Sequence, residues 1–405
     1  MARPRPRSRP LRRVALPVAL VLAVAAPAAA CSDDDPGTAA STTTRAGDTT
    51  TTTAAAAART VAILGAEDNR LWAYEAEPPF EKQRVIASQA DDPAEGLDIN
   101  AQICLFERDG ERMLIAGEDT DQTKGDLQGW GIFRLDGSRV GELSATEVAK
   151  LVPTYQSSSD NAENYGCGVL PDGRILTTDV GNQSSGQGDG QLIIWFPPFD
   201  SEDVAFCKLD IALTTAQAIA IGDDGSVYVA TAFPTSAGVY RYPGPFPTSA
   251  TPDGGCDSTD PTGAPLATGV AKSTFIAPGE HGMVTPSGLA FDDAGHLFVS
   301  SVITGTINEY DAAGAFVRMI LQPPAGEQAG PTPISTGTPL GIAIGPDGTL
   351  YYADIGIVGT GIADFGPKDG VGTVRRITFV DGEPQPPETM ASGYAFPDAV
   401  GVLTG

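Results

Sequence analysis

The side chains able to do chemistry in this chain are mostly carboxylates. Asp and Glu number 51 against 25 Lys and Arg, for a formal net charge of −26. There are two histidines, His281 and His296, so a site built from several imidazoles, such as a three-histidine zinc centre, is excluded. The same acidity excludes electrostatic nucleic-acid binding, because phosphates would be repelled. No G-x-S-x-G elbow, glycine-rich phosphate loop or HExxH occurs, and no nucleotide cofactor is expected. Oxygen-donor chemistry remains: hard cations such as Ca²⁺ take about six to eight oxygens. His281, in a loop reading EHGM, could act as a general base near neutral pH or be an ordinary solvated histidine. His296 directly follows a hairpin glycine and reads as structural.

The elements that must position these groups are short strands. Gly (48) and Pro (33) make up a fifth of the chain, which argues for many turns and against long helices. From Thr60 onward one unit recurs: strand, Asp-Gly or Ala-Gly hairpin, strand, loop, strand, then a fourth outer strand. Its hairpin glycine falls at Gly110, Gly173, Gly225, Gly295 and Gly348. Asp-Gly supplies the positive φ of a tight hairpin. Four-stranded units at this spacing predict an all-β, six-bladed β-propeller over residues 60–405. Five units are complete. The sixth is split, with PDAVGVLTG (Pro397–Gly405) as its innermost strand and the segment from Thr60 as the other three, so pairing the chain ends closes the ring. A seventh blade hidden in one of the longer intervals is the alternative count.

In such a ring, the loops entering each innermost strand and leaving each second strand surround one mouth of the central channel. Alignment on the hairpin glycines puts Gln102, Tyr165, Gln217, Ser287, Leu340 and Asp398 just before the innermost strands, with Asn164 one residue earlier. The second strands end in Glu67, Glu118-Asp119, Asp179, Thr231, Ser301 and Asp354. Glu118, Asp119, Asp179 and Asp354, with Asn164, Gln102 and Asp398, could converge on a divalent cation such as Ca²⁺, and Glu118 and Asp179 join His281 as catalytic candidates. Asp179 and Asp354 could equally cap the turns that follow them. Trp130, in QGWGIF, reads as core or as a stacking surface for a ligand.

The repeat, as in PSGLAFDDAGHLFVSS and PLGIAIGPDGTLYYADIG, resembles NHL repeats and the gluconolactonase/regucalcin-like six-bladed propellers. That resemblance implies a single divalent metal at the channel and, in some members, lactone or ester hydrolysis. Asn164 and Asp398 match the metal-binding Asn and Asp of that family, although Asn164-Tyr165-Gly166 and Pro397-Asp398-Ala399 depart from its N-G and P-D-G motifs. Glu67 is the nearest counterpart of its early metal-binding Glu. Two functions follow as expectations: a propeller that binds a small molecule or partner protein at its acidic mouth, or a divalent-metal-dependent lactonase or ester hydrolase.

Residues 1–13 carry six Arg and no acid, and an apolar run to Ala30 precedes Cys31. This reads as an export signal over 1–30. It resembles a bacterial lipoprotein signal with Cys31 lipidated, and simple cleavage after Ala30 is the alternative. Residues 31–59, rich in Ser, Thr, Ala and Asp, read as a disordered stalk. The expected location is therefore extracytoplasmic, with membrane contact only through a lipid anchor, and the expected state is a monomer. In that compartment disulfides persist. Cys207, in an outer strand, and Cys256, in the insertion 243–270, are the expected pair. Cys104 and Cys167 occupy equivalent positions of adjacent innermost strands. Equivalent positions should face the same rotational way, so these two are expected to remain unpaired as small buried hydrophobes.

Overall fold

The structure is a computed structural model, and it describes residues 60–66, 70–88, 97–120, 129–144, 164–181, 190–201, 203–232, 237–323, 337–361, 364–367, 370–394 and 397–404. Cys31, Glu67, the signal and the stalk lie outside these residues. Among the described residues, six four-stranded antiparallel units form the ring, each ordered inner, second, third, outer. Blade 2 is built from Leu97–Arg108, Glu111–Thr120, Gly129–Arg134 and Arg139–Leu143. Blade 3 uses Asn164–Val169, Ile175–Asp179, Gly190–Trp195 and Phe206–Leu213. Blade 4 uses Ala216–Ile221, Val227–Thr231, Gly238–Tyr242 and Ser273–Ile276. Blade 5 uses Pro286–Phe291, Leu297–Ser301, Thr306–Tyr310 and Phe316–Leu321, and blade 6 uses Pro339–Ile344, Leu350–Asp354, Gly372–Ile377 and Glu388–Tyr394. Blade 1 is the split one. Its inner strand is Pro397–Thr404, paired to Thr60–Ala66 in the register Thr60↔Thr404 and Leu64↔Val400, and Arg70–Glu75 and Lys82–Ser88 follow outward. The chain is a six-bladed β-propeller closed by its C-terminal strand.

Strand alternation explains how the ring holds together. Successive side chains point to opposite faces of a blade, so each blade feeds two seams. In blade 6, Leu350 and Tyr352 pack into the seam with blade 5, while Tyr351 and Ala353 pack into the seam with blade 1. Trp130 and Trp195 fill the seam between blades 2 and 3. At the inner strands the blades approach almost backbone to backbone. A Cβ on Gly166 would lie 2.4 Å from the carbonyl oxygen of Gln217, one on Gly288 2.3 Å from that of Leu340, and one on Gly341 2.6 Å from that of Asp398. The glycine of the repeat is therefore required by the neighbouring blade.

The insertion after blade 4's third strand turns back to blade 3. Its short strands Ser258–Thr259 and Pro265–Leu266 extend that blade's outer edge. Cys207–Cys256 bridges the two, as expected from the sequence. Beside it the fully buried Lys208 ammonium donates to Asp260 Oδ2 at 2.7 Å.

The other cysteine expectation is overturned: Cys104 and Cys167 form a disulfide across the seam between blades 2 and 3. The reason is a difference in hairpins. In blade 3 the ladder ends at Val169↔Ile175, and a longer turn carries Gly173. In blade 2 pairing continues to Arg108↔Glu111, leaving the two-residue turn Asp109-Gly110, with φ of 55° and 77°. This is the type I′ geometry. It shifts the inner strand by one residue relative to the second strand, and a one-residue shift turns every side chain to the other face. Cys104 faces forward to blade 3 while Cys167 faces back to blade 2.

Candidate functional site

At the mouth, each inner strand begins opposite the end of its second strand: Asn164↔Asp179, Ala216↔Thr231, Pro286↔Ser301, Pro339↔Asp354 and Ala66↔Pro397. One or two residues on, every inner strand from blade 3 to blade 6 carries a register shift. Such bulges re-aim side chains. In blades 3 and 5 a second-strand hydroxyl fixes the irregularity. Thr178 Oγ1 accepts from the Gly166 N–H at 2.6 Å and donates to the Gln217 carbonyl at 2.7 Å. Ser300 does the same between Gly288 and Leu340, at 2.7 and 2.5 Å. These bridging hydroxyls were not singled out from the sequence, although they share one position of the repeat.

The residues expected at the mouth divide into two groups. Tyr165 and Asp398 both stand at the starts of inner strands, on blades 3 and 1, and interact through charge. Both are buried, and burial first, then the negative charge of Asp398, pushes the Tyr165 phenol well above its ordinary range. The Tyr165 hydroxyl has no hydrogen-bond partner among the described residues. Around it lies an apolar cluster that includes Val180, Val302, Leu340 and Ile355, the first, second and fourth of which directly follow second strands. Below, Gln102 spans three blades. Its Oε1 accepts from the N–H groups of Cys167 (3.1 Å) and Ile219 (3.0 Å), and its Nε2 donates to the Ile219 carbonyl (3.0 Å). This one amide satisfies channel-facing backbone of blades 3 and 4. Gln217 is buried beside the mouth.

The second group serves the scaffold. Asp179 Oδ1 accepts from the Gly181 N–H at 2.8 Å. Asp354 Oδ1 accepts from the Thr338 N–H (2.8 Å), the Thr338 hydroxyl (3.1 Å) and the Gly356 N–H (3.2 Å), and its Oδ2 is 3.6 Å from an Arg375 nitrogen. Both carboxylates thus take the turn-capping role. Ser287 donates to the Thr285 carbonyl at 2.9 Å. Trp130 is enclosed in the seam between blades 2 and 3, so it offers no open stacking face. His281, expected on the mouth side, sits at the blade periphery instead. Its ring stacks on Phe316 of an outer strand at 3.7 Å, and its carbonyl accepts from Asn308 of a third strand. His296 lies 2.7 Å from Glu309, which also binds Arg318, in keeping with a structural role.

Glu118 and Asp119 stand above the level of the other second-strand ends, because blade 2's hairpin continues through Asn100↔Gly117, Ile99↔Glu118 and Asp98↔Asp119. Their side chains, and that of Asn164, are outside the described set. Among the described residues no three His, Cys, Asp or Glu side chains gather into a metal-binding group. Asp179 and Asp354 each commit Oδ1 to a backbone cap, while the side chains of the other expected metal donors, Glu67, Glu118 and Asn164, lie outside the described residues.

No protein-family model matches the sequence, and no curated protein matches it significantly. Solved structures are similar in fold. A protein of unknown function from Bacteroides caccae superposes with a TM-score of 0.49 at 12% identity, over 85% of this chain and 99% of that one. A calcium-binding protein, regucalcin, from Agrobacterium tumefaciens gives 0.41 at 15% identity, over 70% and 74%. Virginiamycin B lyase from Staphylococcus aureus gives 0.41 at 12%, over 80% and 82%. The assignment as a six-bladed propeller rests on the sheet topology of the chain itself.

Proposed function

We propose that this protein is an extracytoplasmic, lipid-tethered propeller that binds a ligand at the mouth of its central channel, between Tyr165 and Asp398. The observation that carries the reading is the buried Tyr165 hydroxyl, which lacks a partner among the described residues and lies within the field of the Asp398 carboxylate. A buried polar group without a partner costs free energy, and a ligand that accepts from the phenol and donates to the carboxylate recovers it. The apolar surround supports a compact ligand carrying hydroxyl or amine groups.

The test is a thermal-shift screen of the full chain against polyols, amines, sugar lactones and aryl esters. A binder at a hundredfold excess over its Kd should stabilise the protein by about 3 kcal/mol. Tyr165→Phe and Asp398→Asn should each abolish that shift. Binding that survives both substitutions removes the mouth as the site. Hydrolysis of a lactone or ester that stops on chelation would establish the lactonase alternative in its place. The tether is tested by Cys31→Ala, which should move the protein from the detergent phase to the medium.

A further inference from the structure

Away from the mouth, the face bearing the inner hairpins holds a cavity of about 840 Å³ lined by the inner strands of blades 2, 3 and 4. Both Cys104 and Cys167 line it. Phe106, Val169 and Phe199 form its walls, and the exposed residues Glu107, Arg108, Asp109 and Asp172 form its rim. The two disulfides therefore differ in access. Cys207 and Cys256 are 0% and 3% exposed inside the seam between blades 3 and 4. Cys167 is also fully buried, but Cys104 is half-buried and borders the cavity. Exchange at a disulfide is set by which sulfur a thiolate can reach.

We infer that the Cys104–Cys167 disulfide is a thiol-exchange site, at which a small neutral or cationic thiol enters from the hairpin face and forms a mixed disulfide with Cys104. The thiolate attacks Cys104 Sγ, the new sulfur–sulfur bond forms as the Cys104–Cys167 bond breaks, and the electron pair leaves on Cys167 Sγ, which takes a proton from solvent. One thiol is consumed and one is released, so no external oxidant or reductant is needed. The rim sets the charge preference: Asp172 is paired with Arg174, and Glu107 and Asp109 outnumber the Arg108 guanidinium, so the net negative rim disfavours anionic thiols. Exchange also severs the covalent tie between the inner strands of blades 2 and 3, which Gln102 then spans through its bond to the Cys167 N–H.

The experiment treats the native full chain with cysteamine or mercaptoacetate, quenches with an alkylating reagent and maps the peptides. The expected product carries the adduct on Cys104 and the alkyl label on Cys167, with Cys207–Cys256 intact. Per thiolate, cysteamine should react roughly tenfold faster than mercaptoacetate at low salt. The two should converge at 1 M salt, where the Debye length is about 3 Å. Glu107→Gln with Asp109→Asn, which keeps a residue tolerant of positive φ in the hairpin, should shrink the preference. Labelling that starts at Cys207 or Cys256, adducts on Cys167 in place of Cys104, or exchange that occurs only in unfolded chains overturns the inference. Mercaptoacetate outrunning cysteamine at low salt overturns the assigned charge preference.

Discussion

Lys208 and Asp260 are the most sharply testable residues in the scaffold. Burial lowers the Lys208 pKa, and the hydrogen bond and charge of Asp260 offset part of that effect. Burial also pushes Asp260 upward, but hydrogen bonds from Lys208, Thr262 and Ala264 outweigh it and hold the carboxyl low. The 2.7 Å contact pairs the two groups, so each buried charge depends on the other. Lys208→Ala would leave the Asp260 charge buried without its cation, at a cost of about 3–5 kcal/mol. Adding Asp260→Asn should recover much of the loss, because the amide oxygen still accepts from Thr262 and Ala264. Urea unfolding of both single variants and the double measures this coupling, and a double variant that loses the sum of the two single losses would show that there is none.

At the scale of elements, the inner strands are the critical parts, since each lies against the next with only a glycine between. Gly341→Ala would bring a methyl group to 2.6 Å from Ala399 Cα, in the strand that closes the ring. Overpacking of this kind costs about 1–3 kcal/mol. The loss should appear as a lower midpoint with an unchanged slope, because the ring still unfolds as a unit. An unaltered midpoint would mean that the closing strand yields at no cost. The inner hairpins stabilise the same strands from the other end. The Arg174 hydrogen bond holds Asp172 below its ordinary pKa, and the Ser226 N–H does the same for Asp224.

The whole molecule is sensitive to high pH through its buried phenols. Burial raises the pKa of Tyr165, Tyr242 and Tyr352, and pushes Tyr351 up to about 12. The unfolded chain ionises these groups near pH 10, while the folded chain keeps them neutral. Their contribution is therefore complete below pH 10 and declines as pH rises beyond it, because the unfolded state releases protons first. Thermal midpoints followed upward from neutral pH should fall past about pH 10, and Tyr165→Phe should flatten the slope. A midpoint indifferent to pH through that range would show that the phenols ionise in the native fold.

The blade count, the closure of the ring by Pro397–Thr404 and the positive-φ hairpin glycines were all legible in the residues, because alternation and turn chemistry are local and repeat with the chain. The sequence also placed Tyr165 and Asp398 at the starts of inner strands. The influence of the Asp398 charge on Tyr165 was not legible, because it depends on where the ring carries two blades distant in sequence. The tertiary structure alone decided whether Asp354 faces a ligand or caps Thr338, and it carried His281 out to Phe316. Gln102 shows the same limit: its partners lie 65 and 117 residues away. The Cys104–Cys167 bond shows how small the deciding difference can be. Pro171 before Asp172-Gly173 suits a turn with negative φ at its start, whereas Asp109-Gly110 closes in two residues with both φ positive. That single-residue change in register sets the side of the blade from which Cys104 projects, and only the neighbouring blade gives that side a consequence.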